Sequence, residues 1–228
     1  MSHVTRRFRR GSETVTALDD VSLELVPGEL TVAAGASGSG KTTLLSIMAG
    51  YDRPDSGVVT YQGKAVKASD LPWSVVGFVP QALTLIDELT IEQNVDVPGR
   101  LNRTGSRRRS AGNQGTPTIE LLHRLEIAHL ADRYPDQVSG GEQQRTAIGR
   151  ALRLRPAIVI GDEPTGHQDR ARIVVVLDVL REHAYAGNAV LISSHDEAVL
   201  AAADRVVTLA DGRVVADERP RALPVPAR

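Results

Sequence analysis

The stretch GASGSGKT, residues 35–42, constrains this chain more than any other part of it. It satisfies G-x-x-x-x-G-K-[ST], with Gly35, Gly40, Lys41 and Thr42 at the fixed positions. The pattern has physical meaning in one setting. A strand must run into the loop and a helix must leave it, so that inward-turned N–H groups and the positive end of the helix meet one anion. Both neighbours are legible: LTVAA precedes the loop as a short apolar strand, and KTTLLSIMAG follows as a helix with Leu44, Leu45 and Met48 on one side and Gly50 as its stop. Gly38 and Gly40 let the backbone close around a phosphate chain, Lys41 reaches the β- and γ-phosphates, and the Thr42 hydroxyl suits Mg²⁺. An α/β protein using a nucleoside triphosphate is expected, but a kinase, a GTPase and a motor ATPase would share this loop.

The remaining pattern is consistent with that architecture. VTALDDVSLEL alternates into a turn at Pro27 and Gly28, and GVVTYQG reads as another short strand. From about residue 83 to 133 the chain is more helical. Within it, residues 102–117 lack periodicity and read as a mobile loop, and TIELLHRLEIAHL places Leu121, Leu122 and Leu125 on one helical face. The last third alternates: AIVIGD as strand, ARIVVVLDVLREH as helix despite its valine run, AVLISSH as strand, and RVVTLADGRVVAD as a hairpin turning at Asp211 and Gly212. The tail after Asp217 is expected to fray.

Composition narrows the function classes. The 228 residues include no cysteine, which excludes thiolate metal sites, iron–sulfur clusters and disulfides within the chain. No apolar run reaches the length of a membrane span, and MSHVTRRFRRGSE lacks the apolar core of a secretory signal, so any spanning is expected from another chain. Lys and Arg number 27 against 28 Asp and Glu, which argues against a polyanionic partner. Two local clusters, Arg6, Arg7, Arg9 and Arg10, then Arg100, Arg103, Arg107, Arg108 and Arg109, read first as solvated surface, with contact to lipid headgroups or a membrane partner, and then to nucleic acid, as the alternatives. Aromatics make up 3% of the chain, leaving few platforms on which bases stack, so nucleic acid is disfavoured.

Two apolar runs end on chemistry. IVIGDEPT delivers Asp162 and Glu163 at the C-terminal end of a buried strand, where a parallel sheet opens its ligand crevice. Asp162 suits the Mg²⁺ shell and Glu163 the polarisation of an attacking water. AVLISSHDE delivers His195 in the same way; His3, His123, His129, His167 and His183 read as structural. A second Ser/Gly helix start, VSGGEQQR, has Ser139, Gly140 and Gly141 before a helix whose apolar face is Ala147, Ile148, Ala151 and Leu152. It is either an ordinary helix cap or a second anion cradle, used on a nucleotide held by another copy of the chain.

The ordered set GASGSGKTT, VPQ at 79–81, VSGGEQQR, IVIGDEPTG and SSHD resembles the nucleotide-binding domain of ABC transporters from about residue 4 to 217. VSLELVPGEL, LLSIMAG, SGVVTYQGK and ADRVVTLADGRVV resemble more narrowly the ATPases of lipoprotein release and macrolide export. The resemblance implies a P-loop NTPase core with an antiparallel β subdomain and an inserted helical subdomain: core and β subdomain over 1–82 and 156–217, helical subdomain over 83–155, frayed tail over 218–228. It implies ATP and Mg²⁺, dimerisation with itself or a homologous ATPase subunit, multi-span permease partners, and a peripheral place on the cytoplasmic face of the cell membrane.

Residue by residue, the resemblance puts Phe8 where an aromatic, more often Tyr, stacks on adenine. Gly35, Ala36, Ser37, Gly38, Ser39, Gly40, Lys41, Thr42 and Thr43 form the phosphate loop. Gln81 senses Mg²⁺ and water, Asp162 joins the metal shell, Glu163 is the base and His195 the γ-phosphate switch. Ser139, Gly140 and Gly141 close on the opposite subunit's ATP, and Asp169 communicates between sites. Gln168 stands where leucine is usual, and residues 100–117 match nothing in the family. The rivals are a soluble ABC-type ATPase acting on a cytosolic assembly or nucleic acid, supported only by the arginine clusters, and a degenerate ATP-binding module, disfavoured by Glu163 and His195.

Overall fold

Strand β9 (Ala189–Ser193) is buried at every position, because both faces of the sheet around it are covered. The computed structural model describes residues 1–67, 70–104, 115–166 and 168–220. In it β9 sits within a six-stranded sheet with β3 (Leu30–Ala34), β7 (Val76–Val79), β8 (Ile158–Gly161), β10 (Arg205–Ala210) and β11 (Arg213–Glu218), ordered β11-β10-β3-β9-β8-β7. The pairs from β10 to β7 are parallel, and β11 returns antiparallel on β10. The Asp211–Gly212 turn is built as expected, with φ of 48° and 74°, the two left-handed residues a tight hairpin needs.

Period-two alternation assigns the two faces. Leu30, Val32, Val159, Val190 and Ile192 point into one core with helices α2 (Ile91–Thr104), α3 (Thr118–Arg124), α4 (Gly140–Leu152) and α5 (Arg170–Tyr185). Ala33, Ile160 and Leu191 point into the other, with Leu44, Leu45 and Ile47 of helix α1 (Lys41–Ala49) and with Val4 and Leu18. Those last two come from β1 (Ser2–Arg10) and β2 (Glu13–Val21), which with β4 (Ser56–Val58) form an antiparallel sheet ordered β2-β1-β4. Each fully buried leucine contributes about 1.5–3 kcal/mol relative to exposure. The valine run of α5 is helical because Ile173, Val176, Leu177 and Leu180 are buried, while Val174 faces water. Packing there overrides a weak propensity.

Several boundaries differ from the sequence expectation. The run GVVTYQG is not one strand: it breaks after β4, and β5 (Thr60–Tyr61) pairs instead with β6 (Lys64–Ala65) through a turn whose Gln62 and Gly63 both have positive φ. Helix α2 extends through residues 102–104, which the sequence assigned to the expected loop; 105–114, with Arg107, Arg108 and Arg109, lie outside the described residues, as do His167 and the tail beyond 220. Helix α3 stops at Arg124 because Glu126 turns left-handed at φ 54°, and a 3₁₀ turn (Ala128–Leu130) follows. Among the described residues no helix is long and apolar enough to cross a membrane.

Candidate functional site

Four adjacent parallel strands end at one rim in the order β3, β9, β8, β7, and the residues that follow each strand carry the candidate chemistry. After β3 comes the phosphate loop, after β9 Ser194 and His195, after β8 Asp162 and Glu163, after β7 Pro80 and Gln81. The C-terminal edge of a parallel sheet is where backbone N–H groups and helix starts converge on a ligand.

The phosphate loop is shaped by contacts that admit no side chain. Gly35 has φ 140° and Gly40 φ 106°; an added Cβ would stand 2.3 Å from the Leu209 carbonyl oxygen and 2.4 Å from that of Ala17. Gly40 is also the left-handed N-cap of α1. The Lys41 ammonium donates to the carbonyls of Gly35 (2.8 Å) and Ala36 (2.9 Å), which folds it across the mouth of the loop.

A cavity of about 640 Å³ lies over this loop, of the size that holds a small-molecule ligand. Residues 35–38 and 40–43 line it, and Gln81, Asp162, Glu163 and His195 face them. Val15, Thr16 and Ala17 of β2 close one side, which the sequence did not single out. Ser39 is buried instead, its hydroxyl without a hydrogen-bond partner. Phe8 lies outside this lining, opposite Val15 in the strand register, with the Arg6 guanidinium 4.5 Å from its ring centroid.

The acidic end of the cavity is held from behind. Asp162 is 3% exposed, and its Oδ1 accepts from the Ser193 hydroxyl at 2.6 Å. The same hydroxyl oxygen accepts from the Glu163 N–H at 2.8 Å. Glu163 adopts φ 48°, a left-handed backbone unusual for a side-chain-bearing residue. Its carboxylate Oε1 lies 3.3 Å from His195 Nδ1. Gln81 opens a loop whose Leu83 and Thr84 carbonyls each accept from Arg150 of α4 at 2.8 Å. Burial holds the Arg150 guanidinium below its ordinary pKa.

The second helix start is a separate place. Ser139 is the N-cap of α4 in a capping box: its hydroxyl oxygen receives the Glu142 N–H, and its own N–H donates to Glu142 Oε2 at 2.8 Å. The Ser139 N–H, and then its hydroxyl, hold the Glu142 carboxyl below its usual range. Ser139 and Gly141 line a shallow polar cavity with Gln168 and Asp169, and it shares no lining residue with the first. Gly140 faces open space, with nothing within 4 Å of where a Cβ would stand. Asp169 caps α5 through Arg172 N–H at 2.9 Å. Gln168 accepts from Arg145 at 3.5 Å and donates to the Pro164 carbonyl at 3.2 Å, polar contacts a leucine would not make. Sequence reasoning assigned no role to Ser193, Gln144 or Arg150, although the first two stand inside quoted motifs.

Fold and cavity together define a P-loop nucleotide-binding domain. Comparison with known proteins narrows this. The ABC transporter family matches residues 18–166. The chain is 37% identical over 230 residues to the macrolide export ATP-binding/permease protein MacB of Pectobacterium atrosepticum, covering 97% of this chain and 34% of that protein. It is 36% identical over 223 residues to the probable syringafactin export ATP-binding/permease protein SyfD of Pseudomonas syringae pv. syringae, covering 95% and 33%. The chain thus spans about a third of the length of these curated relatives. Among solved structures it is similar to the ATP-binding cassette MJ0796 in a dimeric post-hydrolysis state bound to ADP and Pi, with TM-score 0.85, 31% identity and coverage of 97% of this chain and 98% of that one. The chain belongs to the ABC transporter family, as an ATP-binding cassette.

Proposed function

We propose that this cassette binds ATP between two head-to-tail copies, itself twice or with a homologous subunit, and that closure of the pair moves a multi-span permease at the cytoplasmic face of the membrane. One observation carries the reading: the phosphate cavity and the cavity at Ser139 and Gly141 share no lining residue, so one nucleotide is gripped on both sides only when a second copy supplies the cap. The N–H groups at the start of α4 and its dipole suit that capping role. Asp169 lines the capping cavity and takes the role of linking the two sites.

In this reading the phosphate loop, residues 35–43, holds the triphosphate, and Lys41 moves from its two carbonyl acceptors to the β- and γ-phosphates. Thr42, Gln81 and Asp162 bring a hydroxyl, an amide oxygen and a carboxylate to one cavity, a donor set that fits a hard cation such as Mg²⁺. When bound, Mg²⁺ supplies neutralisation of charge on the phosphate oxygens. Glu163 takes the proton of the attacking water, and His195 stabilises the γ-phosphoryl as charge spreads over its oxygens. Phe8, on the strand beside Val15, stacks on the adenine once Arg6 yields its face.

The permease side is read from a second cavity of about 480 Å³, lined by Tyr51, Trp73, Phe78, Ile86 and Val97 among others, and by Arg150. This recess lies between the core, which gives it Tyr51, Trp73 and Phe78, and the helical region over residues 83–155, which gives it Ile86, Val97 and Arg150; Arg150 ties its wall to the Gln81 loop.

Mixing two inactive variants tests the shared site. A Lys41→Ala copy and a Ser139→Arg copy are each expected to fail in single-turnover hydrolysis. Their mixture rebuilds one composite site from the intact phosphate loop of one and the intact cap of the other, and restores hydrolysis. A mixture as inactive as its components overturns the shared site.

A further inference from the structure

Gln144 stands on α4, five residues after the Ser139 cap, and is 4% exposed. Its side-chain Nε2 donates to the main-chain carbonyl of Glu163 at 2.7 Å. That carbonyl belongs to a residue at φ 48°, a conformation that costs a side-chain-bearing residue roughly 1–2 kcal/mol and persists only where the surroundings impose it. Three hydrogen bonds impose it. The Ser193 hydroxyl receives the Glu163 N–H at 2.8 Å, the Gly166 N–H donates to the Glu163 carbonyl at 3.0 Å, and Gln144 donates to that same oxygen. The first two partners belong to the sheet and to the turn that carries Glu163. Gln144 alone of the three comes from the helix that opens at Ser139.

We propose that Gln144 is a positioning residue for the hydrolytic site. It fixes the Glu163 peptide so that the carboxylate stands over the phosphate cavity beside His195. Because Ser139 and Gln144 are one rigid stretch of helix, about 7 Å apart along its axis, a shift of the cap also shifts the base of the same copy. The surface a copy offers to its partner's nucleotide is thereby joined to the group acting on its own. This is a path between the two sites distinct from the loop bearing Asp169. The inference rests on Glu163 being the base, and it adds to that reading the side chain that aims it.

Gln144→Met keeps the length of the side chain and removes the donor. In the full chain it is expected to lower kcat about 10- to 100-fold, the cost of misplacing a reacting group by about 1 Å, while KM for ATP stays within about twofold. Gln144→Asn keeps a buried amide but withdraws it from the Glu163 carbonyl, and the same loss is expected; melting curves and ATP binding are followed for both. The deciding measurement is a double-mutant cycle. In a Glu163→Gln background, adding Gln144→Met changes the residual rate by less than about twofold, because Gln144 acts through Glu163. A filler role for Gln144 lowers the rate equally in both backgrounds, and that result overturns the inference. So does an unchanged kcat in both Gln144 variants. If Glu163→Gln alone hydrolyses ATP at the wild-type rate, the base assignment fails, which is a different result from a silent Gln144.

Discussion

His195 Nδ1 lies 3.3 Å from Glu163 Oε1, although the two residues follow different strands and are separated by 32 positions. The pairing arises from sheet order: β9 and β8 are parallel neighbours, in register from Ile158 opposite Ala189 to Gly161 opposite Ile192, so their C-terminal loops emerge side by side. The Glu163 side chain is about one-third exposed and that of His195 about three-quarters, so both reach into the cavity from a buried anchor. A water placed between this pair and the phosphate loop meets an acceptor on one side and the triphosphate on the other.

Glu163→Gln keeps the volume of the side chain and removes the basic oxygen. Loss of a general base costs about 10²- to 10⁴-fold, and hydrolysis is expected to fall by that range while ATP still binds. With turnover blocked, the ATP-bound pair accumulates. Size-exclusion chromatography with and without ATP reads this directly, and a variant that stays monomeric at saturating ATP contradicts the shared nucleotide.

His183 sets a pH dependence of stability unrelated to catalysis. It is largely buried, its Nε2 lies 2.8 Å from the Pro156 carbonyl, and burial is the main cause holding its pKa below the ordinary 6.5. The sign follows from linkage: below 6.5 the unfolded chain takes up a proton that the folded chain does not. Stability from this group is therefore complete above that value and falls as pH drops through it toward the folded pKa. Melting temperature measured across this range should decline on the acid side, and His183→Gln should flatten that part of the curve.

Much of this was legible because the informative residues sit at strand ends. Apolar runs terminating at Gly161 and Ser193, and the glycine pattern at 35–40, located the rim of the sheet without any knowledge of which strands are neighbours. What stayed hidden depends on long-range approach. Gln144 and Ser193 look like ordinary polar residues until folding brings them to Glu163, and nothing local announces φ 48° at a glutamate. The early end of α3 was missed for a related reason: Glu126 takes the left-handed turn where the sequence offers no glycine to mark it. The burial of Ser39 within the phosphate loop is likewise a matter of what lies behind it.

Trp73, the chain's one tryptophan, is half exposed at the edge of the apolar recess with Phe78 and Val97. If a permease segment seats there, Trp73 is desolvated on complex formation and its emission shifts to the blue. Trp73→Asp places a charge where an apolar partner must lie, and co-purification with the permease is expected to be lost. Hydrolysis by the cassette alone should be unchanged, since Trp73 lines neither of the two polar cavities. Retained co-purification would remove the recess from the interface.

Ser193→Ala is the sharpest probe of how the acidic end is held. The Ser193 hydroxyl is fully buried and serves two masters, giving its proton to Asp162 Oδ1 and receiving the Glu163 N–H. Its removal leaves a buried carboxylate short of a donor and a buried N–H short of an acceptor. Each loss costs about 1–3 kcal/mol, so a clear drop in melting temperature is expected. The functional consequence separates the two bonds. A carboxylate that has lost the donor orienting it binds a cation about 10- to 100-fold more weakly, so the Mg²⁺ concentration giving half-maximal hydrolysis should rise. Metal-independent nucleotide binding, proposed above to rest on residues 35–43, should not move. Gln144→Met removes the hydrogen bond to the Glu163 carbonyl and leaves the Ser193–Asp162 bond in place, so it is expected to lower the maximal rate and leave the Mg²⁺ midpoint where it is. The same midpoint shift in both variants would mean that Asp162 and Glu163 move as one unit rather than being aimed separately.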